Sequence, residues 1–264
     1  MSRLAPSRRL RPMVVVATLG VTLLAVPFIG LILRAPWSTL GELMSGQVAA
    51  DALRLSITSS LAATAVAAVL GLPIAWLLAR VPFIGNSVVR ALVTLPLVLP
   101  PVVGGAALLF AVGRRGILGE PLYEASGIVL PFSWWGVVAA NVFVAMPFLV
   151  ISVEGALRSM DRQVEAAAAT LGARPARILW RITLPTVRPA LVAGLALTWA
   201  RAFGEFGATV TFAGNLAGRT QTLPLAVFVA LDSNRDLAVA LSLLMVVVSL
   251  AVLVALRNWW WRFG

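Results

Sequence analysis

Apolar residues along this chain collect in long unbroken runs divided by short polar intervals, unlike the spaced apolar stripes of soluble helices. Six runs, at approximately 12–33, 53–79, 88–112, 128–153, 190–212 and 237–256, are long enough to cross hydrocarbon about 30 Å thick. The pattern predicts an all-α polytopic membrane protein with six transmembrane helices. A single membrane domain spans 12–256, with short tails at 1–11 and 257–264. A large soluble domain with an apolar core would need interrupted amphipathic segments, and these runs are uninterrupted. "SRRLRP" precedes the first run, as in a signal peptide. The run is too long for an h-region, and no A-x-A-like site follows "LILRAPWS", so it reads as an uncleaved helix. No internal repeat is visible, so inverted-repeat architecture gains no support.

The longest polar interval, 154–188, contains "EAAAATLGARPARILWRITLP". Val164, Ala167, Ala168 and Leu171 recur at helical spacing along one face. Gly172 suits the residue just past a helix, and Pro175 suits the first position of the next. The second helix presents Ile178, Leu179 and Ile182, and Pro185 helps to end it. Helix, turn, helix is therefore the expected fold of the interval. Its apolar side must be covered, and periodicity leaves two options open: the lipid interface or the chain's own bundle, or the groove of a partner.

Composition supports the membrane reading, with 60% hydrophobic residues and a mean hydropathy of +0.97. Without Cys or His, the chain has no thiolate or imidazole metal site and no Ser-His or Cys-His nucleophile pair. All 21 basic residues are Arg. A Walker A loop needs its Lys on the phosphates, so this chain is not itself a standard P-loop ATPase. Energy for any work must come from a gradient or a partner.

The net charge of +11 would suggest nucleic acid in a soluble protein, but topology accounts for it here. Arg3, Arg8, Arg9, Arg11, Arg80, Arg90, Arg158, Arg162, Arg174, Arg177, Arg181, Arg188, Arg257 and Arg262 fall on one side of the predicted spans. The other side holds Arg34, Arg114, Arg115, Arg219 and Arg235 and most of the acids. The excess marks the cytoplasmic side, so both termini and the interval 154–188 are expected there. The closing "RNWWWRF" would set its tryptophans at the membrane–water boundary. No nucleic-acid partner is needed.

Glu165, Ala167, Ala168 and Gly172, then nine residues, then Ile182-Thr183-Leu184-Pro185 resemble the EAA loop of ABC importer permeases. Glu165 precedes Gly172 by seven positions rather than the commoner six, which is similar to the E-x-A-A-x-T-L-G variant of oxyanion permeases. The resemblance implies the type I importer permease fold. It also implies that this loop, including Leu171 and Ile178, docks a cytoplasmic ATPase and transmits its closure. ATP and Mg would then be used by that partner, with no cofactor held by this chain.

Two further stretches are similar to the oxyanion branch. "TLPLVLPPVVGGAALL" places Pro96, Pro100 and Pro101 in the third run, where lost amide donors disturb the helix. It reads either as a kinked packing helix or as a lining of the translocation path. "ARAFGEFGATVTFAGNLAGRTQTLPLAVF" sets Arg201 and Glu205 four apart, with Thr209 and Thr211 just beyond to offer hydroxyls to an anion. Ionisable residues in a span are functional candidates by default, although a structural ion pair fits equally well. "GRTQTLPLAVF" looks most like the molybdate/tungstate branch, which is related to sulfate permeases.

The resemblance implies a homodimer in the bacterial cytoplasmic membrane, two ATPase subunits and an external molybdate-binding protein. Spacing and charge do not separate molybdate from tungstate or sulfate. A sulfate/thiosulfate permease is the alternative. An ion-coupled secondary transporter would want a relay of intramembrane acids, and only Glu205 is present.

Overall fold

The computed structural model describes residues 11–260, with side chains from 12 to 255. Residues 1–10 and 261–264 lie outside the described residues, as do the side chains of 11 and 256–260, so the flanking arginines and the tryptophans at 259–261 are not placed. Every regular element among the described residues is helical. In chain order they are α1 (Arg11–Leu33), α2 (Leu40–Ser45), α3 (Gln47–Arg80), α4 (Asn86–Val98), α5 (Pro101–Val112), α6 (Gly119–Ser126) and α7 (Trp134–Ser159). Then follow α8 (Arg162–Thr170), α9 (Pro175–Ile178), a π turn (Leu179–Thr183), α10 (Leu184–Phe203), α11 (Gly207–Phe212), α12 (Leu223–Ser233) and α13 (Arg235–Trp260).

Lipid tails are as apolar as leucine, so helices in a membrane associate through close backbone approach at small residues. The α3–α7 contact follows this rule. Ala63, Ala67, Gly71 and Ala75 recur every fourth residue of α3, and all are buried. A Cβ on Gly71 would stand 3.2 Å from Val150 Cγ2 and 3.3 Å from Met146 Cγ of α7. α10 closes on the other flank of α7, where a Cβ on Gly194 would meet Ser152 Cβ at 3.0 Å. A second cluster joins α3, α10, α12 and α13 through Ala52, Phe203, Leu223 and Leu241. The Ser56 hydroxyl accepts the Leu223 amide at 2.7 Å and so ties α3 to the first turn of α12. α1 stands at the periphery with its apolar side chains exposed.

Among the described residues five helices, rather than six, are long and apolar enough to cross a membrane singly. The expected continuous span at 88–112 is two short helices. Leu99 and Pro100 are both extended, with ψ of 138° and 132°, because a residue before proline is driven out of the helical region. The expected span at 190–212 likewise stops at Phe203, and α11 restarts at Gly207. The expected span at 128–153 begins late, at Trp134, capped by the Ser133 hydroxyl on the Gly136 amide. α13 continues past 256 to Trp260.

Candidate functional site

The first helix and the turn predicted within 154–188 are present, but α7 reaches Ser159 and Pro185 does not end the second helix. That helix runs on from Pro175 through the π turn to Phe203, because a proline in a first helical turn displaces no intrahelical donor. Asp161 caps α8, its carboxylate accepting the Gln163 amide at 2.9 Å. α8 ends at a left-handed Gly172, φ 81°. There the Gly172 amide donates to Ala169 O and the Ala173 amide to Ala168 O, both at 3.0 Å. This paired closure is the Schellman arrangement, and it needs a residue at ease with positive φ. Pro175 opens α9 at its first position, as expected.

The apolar side of α8 is uncovered in the single chain. Leu171 is 88% and Val164 53% exposed. Ala167 is exposed, Ala168, Ile178 and Ile182 are half-buried, and Pro185 is exposed. Glu165 faces the other way. Its carboxylate bridges Arg80 at 3.2 Å and accepts the Thr183 hydroxyl at 2.6 Å. A second charged cluster lies alongside: the buried Glu154 carboxylate takes Arg90 at 2.6 Å and Arg158 at 2.8 Å.

The second group of candidates gathers where α10 breaks before α11. Glu205, 2% exposed, bridges Arg201 and accepts the Ala208 amide at 2.6 Å. The carboxylate therefore answers both a guanidinium one helical turn back and an amide that the start of α11 leaves without a partner. α5 lies directly on α11. A Cβ on Gly207 would meet Pro101 Cβ at 2.9 Å, and one on Gly105 would meet Ala208 O at 2.7 Å.

Pro101, Glu205, Thr209 and Thr211 are thus brought into one region, with Pro100 and Pro101 on its exposed side. The two threonine hydroxyls are differently placed. Thr209 is fully buried and its hydroxyl points to Asn141 at 3.5 Å. Thr211 donates to the Gly207 carbonyl at 2.9 Å within its own helix. The Thr209 hydroxyl is thus held inside the bundle, where a partnerless hydroxyl would be costly, whereas Thr211 is half-buried.

Sequence reasoning missed Arg80 and Asn141 as site residues and gave Thr183 no role beyond its place in the motif. Arg80 reads in the sequence as a loop charge, and Asn141 lies inside an apolar run. Arg80 lies 85 residues from Glu165, so no local pattern joins them. A buried polar residue such as Asn141 in a span was the one available signal.

The family model described as binding-protein-dependent transport system inner membrane component matches residues 69–262. The chain belongs to this family. It is therefore a multi-pass inner membrane component of a transport system, and its family is not a catalytic one. This inner membrane component is 47% identical over 236 residues to the molybdenum transport system permease protein of Mycobacterium tuberculosis, covering 89% of each chain. It is 36% identical over 223 residues to a sulfate transport system permease protein of Synechococcus elongatus, covering 80% of this chain and 77% of that one. In fold it is similar to a chain of a bacterial ABC transporter involved in the import of the polysaccharide alginate. The TM-score is 0.70 and the identity 17%, over 96% of this chain and 97% of that one. The oxyanion-permease resemblance noted in the sequence is borne out at the level of family and relatives.

Proposed function

We propose that the chain is the permease subunit of an ATP-driven importer for molybdate, and for tungstate of similar shape and charge. The observation that carries the mechanism is α8: a capped, glycine-terminated helix whose charged face is held by the bundle and whose apolar face, Val164 and Leu171, is uncovered. The 47% identity to a molybdenum permease supports the substrate.

Two copies of the chain form the path, with α4 and α5 together making the sixth crossing. The two helices hold 13 and 12 residues, or about 37 Å at 1.5 Å per residue, enough for the hydrocarbon. Arginine placement sets both termini and α8 in the cytoplasm. There each α8 docks one ATPase subunit, which binds and hydrolyses ATP with Mg. An external binding protein delivers the anion on the opposite side.

ATP binding draws the two α8 segments together and opens the path outward; hydrolysis and release return it inward. This is alternating access between two states biased by nucleotide. The interrupted helix at Leu99–Pro101 and the exposed prolines border the path, where irregular backbone is tolerated against a water-filled cavity. The sequence sets no cluster of basic side chains within its spans, and weak binding suits transit.

The test is uptake of trace molybdate in cells lacking and regaining this gene, with and without excess sulfate. Gene-dependent uptake that sulfate barely competes supports the proposal. Uptake abolished by sulfate favours the broader oxyanion reading that the sulfate permease relatives suggest. No gene-dependent uptake refutes the substrate.

A further inference from the structure

α8 and the end of α7 meet the bundle through part-buried polar contacts, most of them on the last turn of α3. Helix geometry leaves the final carbonyls of α3 without intrahelical donors. Leu78 O accepts Arg158 Nη2 and Ala79 O accepts Arg162 Nη2, each at 3.0 Å. Cationic donors at this end also suit the helix dipole. Arg162 opens α8, and Glu165, one turn later on the same face, holds Arg80 of α3 and Thr183 of the π turn.

The Arg80 side chain is only 9% exposed and Thr183 is buried. Removing one partner of such a pair strands a charge that water does not readily reach. Arg80 keeps a further buried nitrogen, Nη1, with no partner in this conformation.

We propose that Arg80 and Thr183 are positioning residues for coupling. Glu165 is an internal strut rather than a contact with the ATPase, and through it α8 is clamped to α3 and α10 so that both move with it. The mechanical consequence follows from what those helices reach. α3 is a single helix of 34 residues, about 51 Å long, and its far end holds α12 through Ser56. α10 runs to the Glu205 bend, where α11 bears on α5. A displacement of α8 is therefore delivered to both sides of the path through continuous packed elements, the physical basis that coupling between distant sites requires. The role in coupling rests on the importer reading; the clamp itself does not.

The clamp is tested first in the permease alone, by hydrogen exchange across 162–170. Thr183→Val, which removes one hydroxyl, and Glu165→Gln are expected to raise exchange there roughly tenfold. Unchanged exchange in both overturns the proposal whatever the chain transports.

The second measurement uses the full complex with its ATPase and binding protein, and reads ATP hydrolysed per molybdate imported. Arg80→Gln and Thr183→Val are expected to raise that ratio about fivefold or more while the ATPase still co-purifies. The exchanged pair Arg80→Glu with Glu165→Arg should recover much of the coupling. If Glu165→Gln strips the ATPase from the complex while Arg80→Gln does not, Glu165 is a partner contact and the strut is refuted. A wild-type complex that shows no anion-dependent hydrolysis strikes at the importer reading and leaves the exchange result to decide the clamp.

Discussion

Replacing Gly172 by valine isolates the contribution of one backbone conformation. Gly172 holds φ at 81°, and a Cβ built there meets nothing within 4 Å. The substitution therefore introduces no collision, and its cost lies in the left-handed backbone, roughly 1–2 kcal/mol for a residue with a side chain and toward the upper end when β-branched. Escaping to another conformation gains nothing. It forfeits the Gly172–Ala169 and Ala173–Ala168 hydrogen bonds, about 1 kcal/mol each.

By either route the balance between the closed turn and an unravelled one shifts by roughly 5–30-fold. The turn sets the angle between α8 and α9, so in the proposed importer the loss is expected in coupling and not in insertion. Valine should therefore abolish most uptake at unchanged membrane levels, and alanine should act more weakly. Asparagine, which tolerates the left-handed region, should stay near wild type. Uptake is measured per permease, quantified in the membrane. Valine and asparagine variants transporting equally would refute the argument, as would an alanine variant worse than valine.

Leu171→Asp, at an 88% exposed position, should change permease stability by less than about 0.5 kcal/mol yet abolish co-purification of the ATPase; retained co-purification would show that this face is not the docking surface. Glu205→Ala strands a guanidinium and the buried Ala208 amide. It should cost about 3–5 kcal/mol, read as a loss of thermal stability in detergent, with Arg201→Met/Glu205→Gln the milder variant. Gly105→Val would drive a side chain against Ala208 O at 2.7 Å and Thr211 Cβ at 2.8 Å and should destabilise by about 1–3 kcal/mol. Gly20→Ala, with nothing within 4 Å, should be neutral or gain up to about 1 kcal/mol, and the pair compared by melting tests whether α5 truly abuts α11.

The turn at Gly172 was legible in the sequence because its cause is local: a glycine follows an amphipathic stretch and a proline opens the next helix, all within a few residues. Pro100 and Pro101 were legible as a disturbance for the same reason. That the disturbance splits the run into α4 and α5 was not, because a proline in a span can also leave a kinked but continuous helix. The pairing of Arg201 with Glu205 was readable from a spacing of four, whereas the amide that Glu205 caps exists only because α10 ends first.

Long apolar runs determine by themselves that this is a helical membrane protein, and the spacing of Glu165, Gly172 and Pro185 carries the resemblance to importer permeases. The first is a property of solvation and the second of local sequence, and neither depends on how the helices meet. The tertiary structure alone decided that Glu165 turns inward to Arg80 and Thr183, that Thr209 faces Asn141 instead of open space, and that α5 lies on α11. In a membrane, lipid and protein interior are almost equally apolar, so hydrophobic periodicity identifies a span without revealing which neighbour covers each face. That choice is made by buried polar pairs and close glycine contacts between segments far apart in the chain, and their partners become identifiable only once the helices are packed.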